Sequence, residues 1–219
     1  MLRLLFEKRG KAVWISHLDL MRLFQRAFKR AELPLTHTQG FNPRPSVSIA
    51  LPLSVGIESV CELLDFELEG MEISCEEIGA RLNRCLVEGV RVLEVYPEGR
   101  KLKHLAYLQC VLNLQYDRAV SQNDVETITE LFSRQEIIVE KKSKNGITQQ
   151  NIAPMIQSLE ASLCAEQTIR LQAVICCQNP SLNPMQLSAA IQKYLPELAP
   201  DHVLCCRQEI LDTDRNIFR

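Results

Sequence analysis

Twice along the chain the apolar pattern runs strand, helix, strand, strand, helix, strand, and few folds accommodate that order two times over. In the first pass, residues 1–9 alternate apolar and polar side chains, which is the period of a half-buried strand. Leu20, Leu23, Phe24, Ala27, Phe28 and Ala31 then recur at helical spacing until Pro34 stops the element. Ser16 with Asp19 makes a capping-box pattern at that helix start, and Ser74 with Glu77 makes another for a second helix ending before Gly89. Residues 36–53 and 60–68 read as strands flanking a turn at Gly56, and residues 90–96 as a closing strand.

The second pass follows residues 98–101. Residues 105–114, 136–141, 168–177 and 202–211 are strand-like, whereas 123–133 and 184–194 are helical. Residues 143–165 then interrupt this copy as an insertion between its middle strands. The expected fold is α+β: two tandem ferredoxin-like β-α-β-β-α-β units at 1–99 and 100–219, the second with the insertion at 143–165. The shared order suggests duplication, although no residue-level repeat accompanies it.

A chain of 219 residues with 46% hydrophobic and 24% charged positions can fill two modest cores, which argues against disorder. No apolar run approaches the roughly 18 residues of a membrane span, and Met1 leads straight into strand-like sequence without a signal-peptide pattern. A cytoplasmic protein without membrane contact is expected. Its nine cysteines are then expected to be reduced and structural. The adjacent pairs Cys176-Cys177 and Cys205-Cys206 point to opposite faces of a strand, and no Cys-x-x-Cys occurs, so no metal site is expected.

The formal net charge of −2 hides an asymmetry. Residues 1–50 carry nine Lys or Arg against three Asp or Glu, whereas residues 51–100 carry four against eleven. An anionic ligand responds to the local patch rather than to the total. Within the basic block, Arg22, Arg26, Lys29 and Arg30 fall on one stripe of the first helix, opposite its Leu/Phe stripe. Asp19 and Glu32 lie at the two ends, so no acid is expected to pair with the stripe, and unpaired cations in a row suit phosphates. The acidic block is expected elsewhere on the surface or facing a basic partner.

After that helix comes Gln39-Gly40-Phe41-Asn42-Pro43-Arg44-Pro45. Gly40 permits a backbone conformation closed to other residues, and the prolines hold Asn42 and Arg44 extended. The loop should present Gln39, Asn42 and Arg44 outward, with Phe41 either stacking on a base or folding back into the core. Amides, an arginine and an aromatic beside a basic stripe make a single-stranded RNA surface. His17, in the first helical turn, is the one acid–base candidate. It lacks an identified second acid or base. The sequence has no Walker loop, no Gly-x-Gly-x-x-Gly, no serine nucleophile elbow and no three-cysteine cluster.

The stretch SHLDLMRLFQRAFKRAELPLTHTQGFNPRPSVSIALPLSVGIES resembles the N-terminal motif of a bacterial, radical-SAM-linked family of unknown function, encoded beside or fused behind a B12-binding-type radical SAM protein. The match is dense over about the first 70 residues. One departure concerns the later insertion, where Asn151-Ile152-Ala153-Pro154 stands in place of an Asp-Ile-Arg-Pro-like motif. The resemblance implies a partner radical SAM enzyme holding the iron–sulfur cluster, S-adenosylmethionine and cobalamin, with no cofactor in this chain. The expected function is that of a non-catalytic RNA-binding accessory protein presenting tRNA or rRNA to that partner. Two alternatives remain open. Tandem ferredoxin-like domains are also the architecture of CRISPR repeat-processing endonucleases, some of which use a histidine without metal, and His17 would serve there. The chain could instead be a pure protein-interaction subunit of the radical SAM enzyme.

Overall fold

The structure is a computed structural model and describes residues 1–39, 41–70, 72–97, 99–143 and 146–219. The chain is α+β and forms two compact units, Met1–His104 together with Arg219, and Leu105–Phe218.

The first unit runs β1 (Leu2–Lys8), α1 (His17–Arg30), β2 (Val47–Ile49), β3 (Ile57–Phe66), α2 (Cys75–Cys85) and β4 (Val90–Pro97). Within it the strands lie in the order β4, β1, β3, β2, every neighbouring pair antiparallel. Leu4 faces Leu64 and Leu2 faces Phe66 across β1 and β3, so alternate residues of both strands share one face. On that face lie Leu20, Phe24, Ala27 and Phe28 of α1 and Ile78 and Leu82 of α2, all buried in one cluster. Phe6 meets Phe24 edge-on with ring centroids 4.8 Å apart, and Phe28 meets Phe66 at 4.9 Å, both within the range of favourable aromatic pairs.

Helix starts and turns follow local chemistry, with two amendments. The Ser16 and Ser74 hydroxyls accept from the amides of Asp19 and Glu77 as expected. The carboxylates do not complete the boxes: Asp19 accepts from the Ser16 hydroxyl and Glu77 from Arg81. The expected strand over 36–53 shrinks to Val47–Ile49, because Pro43, Pro45 and Pro52 remove ladder donors on both sides of it. Gly89 is required where it stands. Its φ is +85°, its carbonyl accepts from the Arg9 amide at 2.7 Å, and a Cβ there would collide with the Arg9 carbonyl.

The second unit runs β5 (Leu105–Gln115), α3 (Gln122–Phe132), β6 (Ile138–Ser143), β7 (Gly146–Asn151), β8 (Ile156–Ala165), β9 (Thr168–Cys176), α4 (Met185–Tyr194) and β10 (His202–Asp212). Its sheet reads β10, β5, β9, β8, again antiparallel throughout, while among the described residues β6 and β7 pair only with each other as a hairpin. This corrects the expected insertion. Residues 156–165, assigned to the insertion, form a strand of the sheet, whereas residues 136–141, read as a strand of the sheet, belong to the hairpin from Ile138 onward. β8 escapes notice because it pairs on one side only within the unit and is half-exposed along its length, so its alternation is diluted by Ser158, Glu160 and Ser162. Asn151 has a structural task at the hairpin's end, its side-chain oxygen accepting from the amides of Ile137 and Ala153 at 2.9 and 3.1 Å. No helix among the described residues is long and apolar enough to cross a membrane.

Candidate nucleic-acid interface

α1 turns its apolar stripe inward and leaves Arg22, Arg26, Lys29 and Arg30 exposed on the other side. The four cations are not equivalent. Arg22 donates to Asp19 at 2.9 Å, so the expectation that no acid pairs with the stripe is overturned: three residues apart on a helix is one turn, within side-chain reach. Hydrogen bonds from Ser16 and Arg22 hold the Asp19 carboxyl below the usual carboxylate range. Arg30 donates to the Cys85 carbonyl at 2.8 Å, at the C-terminus of α2, where free carbonyls attract a cation. Arg26 and Lys29 are the two cations of the stripe without a hydrogen bond or ion pair among the described residues.

His17 opens α1 half-buried, and its Nδ1 is buried without a hydrogen-bond partner. Among the described residues no hydrogen-bond partner at Nδ1 fixes the ring's tautomer, as a general base would require.

The loop after α1 is a narrow hairpin. Its stem begins where Thr36 donates its amide to the Glu67 carbonyl at 2.9 Å and receives the Ser46 amide at 2.8 Å. His37 bridges Pro45, and the neck closes where the Thr38 amide donates to the Arg44 carbonyl at 2.8 Å. The Arg44 amide returns a bond to the Thr38 hydroxyl at 3.0 Å. Beyond this neck Gln39, Phe41 and Asn42 are exposed, as is Arg44 at the neck itself, and Phe41 is fully so at 110%. Of the two fates open to Phe41, folding back into the core is thereby excluded. Gly40 lies outside the described residues.

At the loop's base Thr38, Pro45, Ser46 and Val47 line a cavity of about 240 Å³ together with Asp65 and Glu67. Asp65 is neutralised from behind by buried Arg3, whose Nε and Nη2 donate to its two oxygens at 2.6 and 3.1 Å. Glu67 accepts from the Thr36 hydroxyl at 3.4 Å, so part of the acidic block sits beside the loop stem rather than away from it. Sequence inspection missed Thr38. The available signal was a hydroxyl residue at a loop entrance, a pattern that bonds nearby backbone amides.

The cysteines vary in setting: Cys61, Cys110 and Cys205 are buried, Cys164 is exposed and the others lie between. Burial pushes the Cys177 thiol up to about 11 and the Cys205 thiol up to about 12, so both stay protonated. Among the described residues no three His, Cys, Asp or Glu side chains converge on a common point.

A model of the family described as "Uncharacterized protein conserved in bacteria (DUF2344)" matches residues 1–184, and the chain belongs to that family. No curated protein matches it. Among solved structures it is similar to a chain of the "Crystal Structure of a Cbf5-Nop10-Gar1 Complex", with a TM-score of 0.51 and 8% identity over 95% of this chain and 48% of that one. The chain therefore spans about half the length of that protein, and at this identity the likeness concerns the fold alone. An unknown protein from Galdieria sulphuraria aligns over 94% of this chain and 96% of its own, at 11% identity and a TM-score of 0.27.

Proposed function

We propose that this member of the family binds single-stranded RNA, tRNA or rRNA, on the loop tip and the free cations of α1, and presents it to a separate radical SAM enzyme. That enzyme, rather than this chain, would hold the iron–sulfur cluster, S-adenosylmethionine and cobalamin. The observation that carries the reading is the fully exposed Phe41 on a loop whose neck is hydrogen-bonded shut. Leaving a phenylalanine in water forgoes about 1.5–3 kcal/mol of burial, which is recovered when the ring stacks on a base. Exposed Gln39 and Asn42 offer amides for base edges, and Arg44 offers a fork for a phosphate or a guanine. A closed neck lowers the ordering entropy that binding must overcome. The cations favour RNA over an apolar protein groove as the occupant of this tip.

Both units are read as ferredoxin-like. In each, the strands of the helix-bearing motif lie in the order fourth, first, third, second, all antiparallel, as that reading requires. The endonuclease reading has less to support it, since among the described residues the Nδ1 of His17 has no partner of the kind acid–base cleavage needs.

The test is ultraviolet crosslinking in cells followed by sequencing of the RNA attached to the chain, with a Phe41→Ala, Arg44→Ala variant as the control. A restricted set of tRNA or rRNA positions, lost in the variant, is the expected result. Crosslinking indistinguishable between the two proteins would overturn it, and RNA shortened by the purified chain would revive the endonuclease.

A further inference from the structure

We infer that Trp14 is a second base-stacking position for the same RNA strand, at the opposite end of α1 from the loop. This rests on the RNA-binding reading above and extends it to a residue outside the loop and the stripe. Trp14 is the only tryptophan of the chain, and it is 73% exposed. A tryptophan is the largest apolar side chain available to a core, so leaving it outside forgoes more burial than any other residue would.

Its exposure does not come from a loose backbone. Trp14 ends the short helical turn Gly10–Trp14, and that turn is pinned on every side. The Arg9 amide donates to Gly89 at 2.7 Å, the Gly10 amide to the Glu58 carboxylate at 2.9 Å, and the Gly56 amide to the Val13 carbonyl at 3.0 Å. The buried Lys8 ammonium donates to the Ile15 carbonyl at 2.9 Å, immediately after the tryptophan. Ala12 is buried beneath. Gly56 has only a hydrogen where the edge of the indole passes, with Cζ3 lying 3.9 Å from the position a Cβ would take. The ring is thus held out on a rigid base, as a stacking platform is.

What surrounds the ring decides the class of partner. After Trp14 the chain enters α1, where Leu18 is 66% exposed, Arg22, paired with Asp19, and Arg26 follow at successive turns, and Lys29 lies beyond. Lys11 on the turn and Arg9 just before it are exposed too, Arg9 lying 3.9 Å from the Glu58 carboxylate. An aromatic set at the head of a cationic row matches a base followed by its phosphates, whereas a protein partner with an apolar face would bury those charges at a cost. α1 is about 21 Å long, so a strand laid along it reaches from Trp14 toward the segment that carries Phe41.

Because there is one tryptophan, its emission reports this position alone. A fluorescently labelled oligouridylate is titrated into the full chain at low salt, and label anisotropy, tryptophan emission and acrylamide quenching are read on the same samples. Anisotropy and loss of emission should follow one curve, with acrylamide access falling as RNA binds. Trp14→Ala should weaken binding about 5- to 100-fold and Trp14→Phe should restore most of it, since either ring can stack. RNA binding that depends on Phe41 while Trp14 emission and access stay unchanged, and while Trp14→Ala binds as wild type, overturns the inference alone. Failure of the wild type to bind any RNA overturns the reading beneath it. Trp14→Ala with normal RNA affinity but lost association with the radical SAM enzyme assigns the patch to a protein instead and equally overturns the inference.

Discussion

Thr38 and Arg44 face each other across the neck of the loop and exchange two hydrogen bonds, amide to carbonyl at 2.8 Å and amide to hydroxyl at 3.0 Å. The second depends on the Thr38 side chain. Thr38→Val keeps the shape and removes the acceptor, so it should cost about 0.5–1.5 kcal/mol locally and leave the melting temperature of the whole chain nearly unchanged. Hydrogen exchange at the Arg44 amide should rise, and RNA affinity should fall a few-fold because the tip is no longer pre-set. Unchanged exchange would show that the backbone bond alone closes the neck.

Phe41 separates binding from stability more sharply than any other position. Phe41→Ala removes a ring that touches no core, so thermal melting should shift by less than about 0.5 kcal/mol-equivalent. RNA affinity should drop about 5- to 100-fold, and Phe41→Tyr should retain most of it. Equal losses for the two substitutions would argue against stacking.

The four cations of α1 should divide in a salt titration. Arg26→Ala and Lys29→Ala should each reduce the slope of log K against log salt by roughly 0.7, the value for one single-strand phosphate contact. Arg22→Ala should change it less, because Asp19 already neutralises that guanidinium. Arg30→Ala should instead lower stability by about 1 kcal/mol through loss of its bond to the Cys85 carbonyl. A common slope change for all four would mean that the Asp19 pair opens in the complex.

Arg3 and Asp65 test the frame beneath the loop. The pair is bidentate, cross-strand and buried, with the Arg3 side chain at 0% exposure. Asp65→Ala leaves that guanidinium without its carboxylate and should destabilise the first unit by about 3–5 kcal/mol. Urea unfolding should show the midpoint falling with the slope preserved. An effect within about 1 kcal/mol would mean that water reaches the pair.

Acid stability should carry the signature of Asp124. Its carboxyl closes a full capping box with Ser121, and the bond from the Ser121 amide, followed by Arg118, holds its pKa below the ordinary aspartate value. A depressed folded value means stability that is complete above the ordinary value and lost as pH falls through the depressed one. The stability difference between wild type and Asp124→Asn should therefore be constant near neutrality and shrink on acidification below the ordinary carboxylate range. A difference independent of pH would place the effect in cap geometry rather than charge.

Much of the fold can be read from short-range pattern. Ser16 and Ser74 mark helix starts that the structure uses, and the alternation over residues 1–9 becomes β1. The failures have local causes. Prolines cut the strand expected over 36–53 to three residues, and the weak alternation of a strand paired on one side hid β8 inside a supposed insertion. At the site, the exposed faces of α1 and the loop follow from periodicity and from Gly-Pro chemistry.

Amphipathic stripes, caps and turns depend on residues within about one helical turn of each other, and the linear order of side chains therefore suffices for them. Which cation is occupied does not depend on such neighbours alone: Arg30 is held by a carbonyl 55 residues away, and Arg3 by a carboxylate 62 residues away. The same holds for Trp14, whose exposure is set by hydrogen bonds between the turn that carries it, with Arg9 at its start, and Gly89, Glu58 and Gly56. Those partners arrive only when the strands pair, and it is strand pairing that turns a basic, aromatic sequence into a surface with particular groups left open.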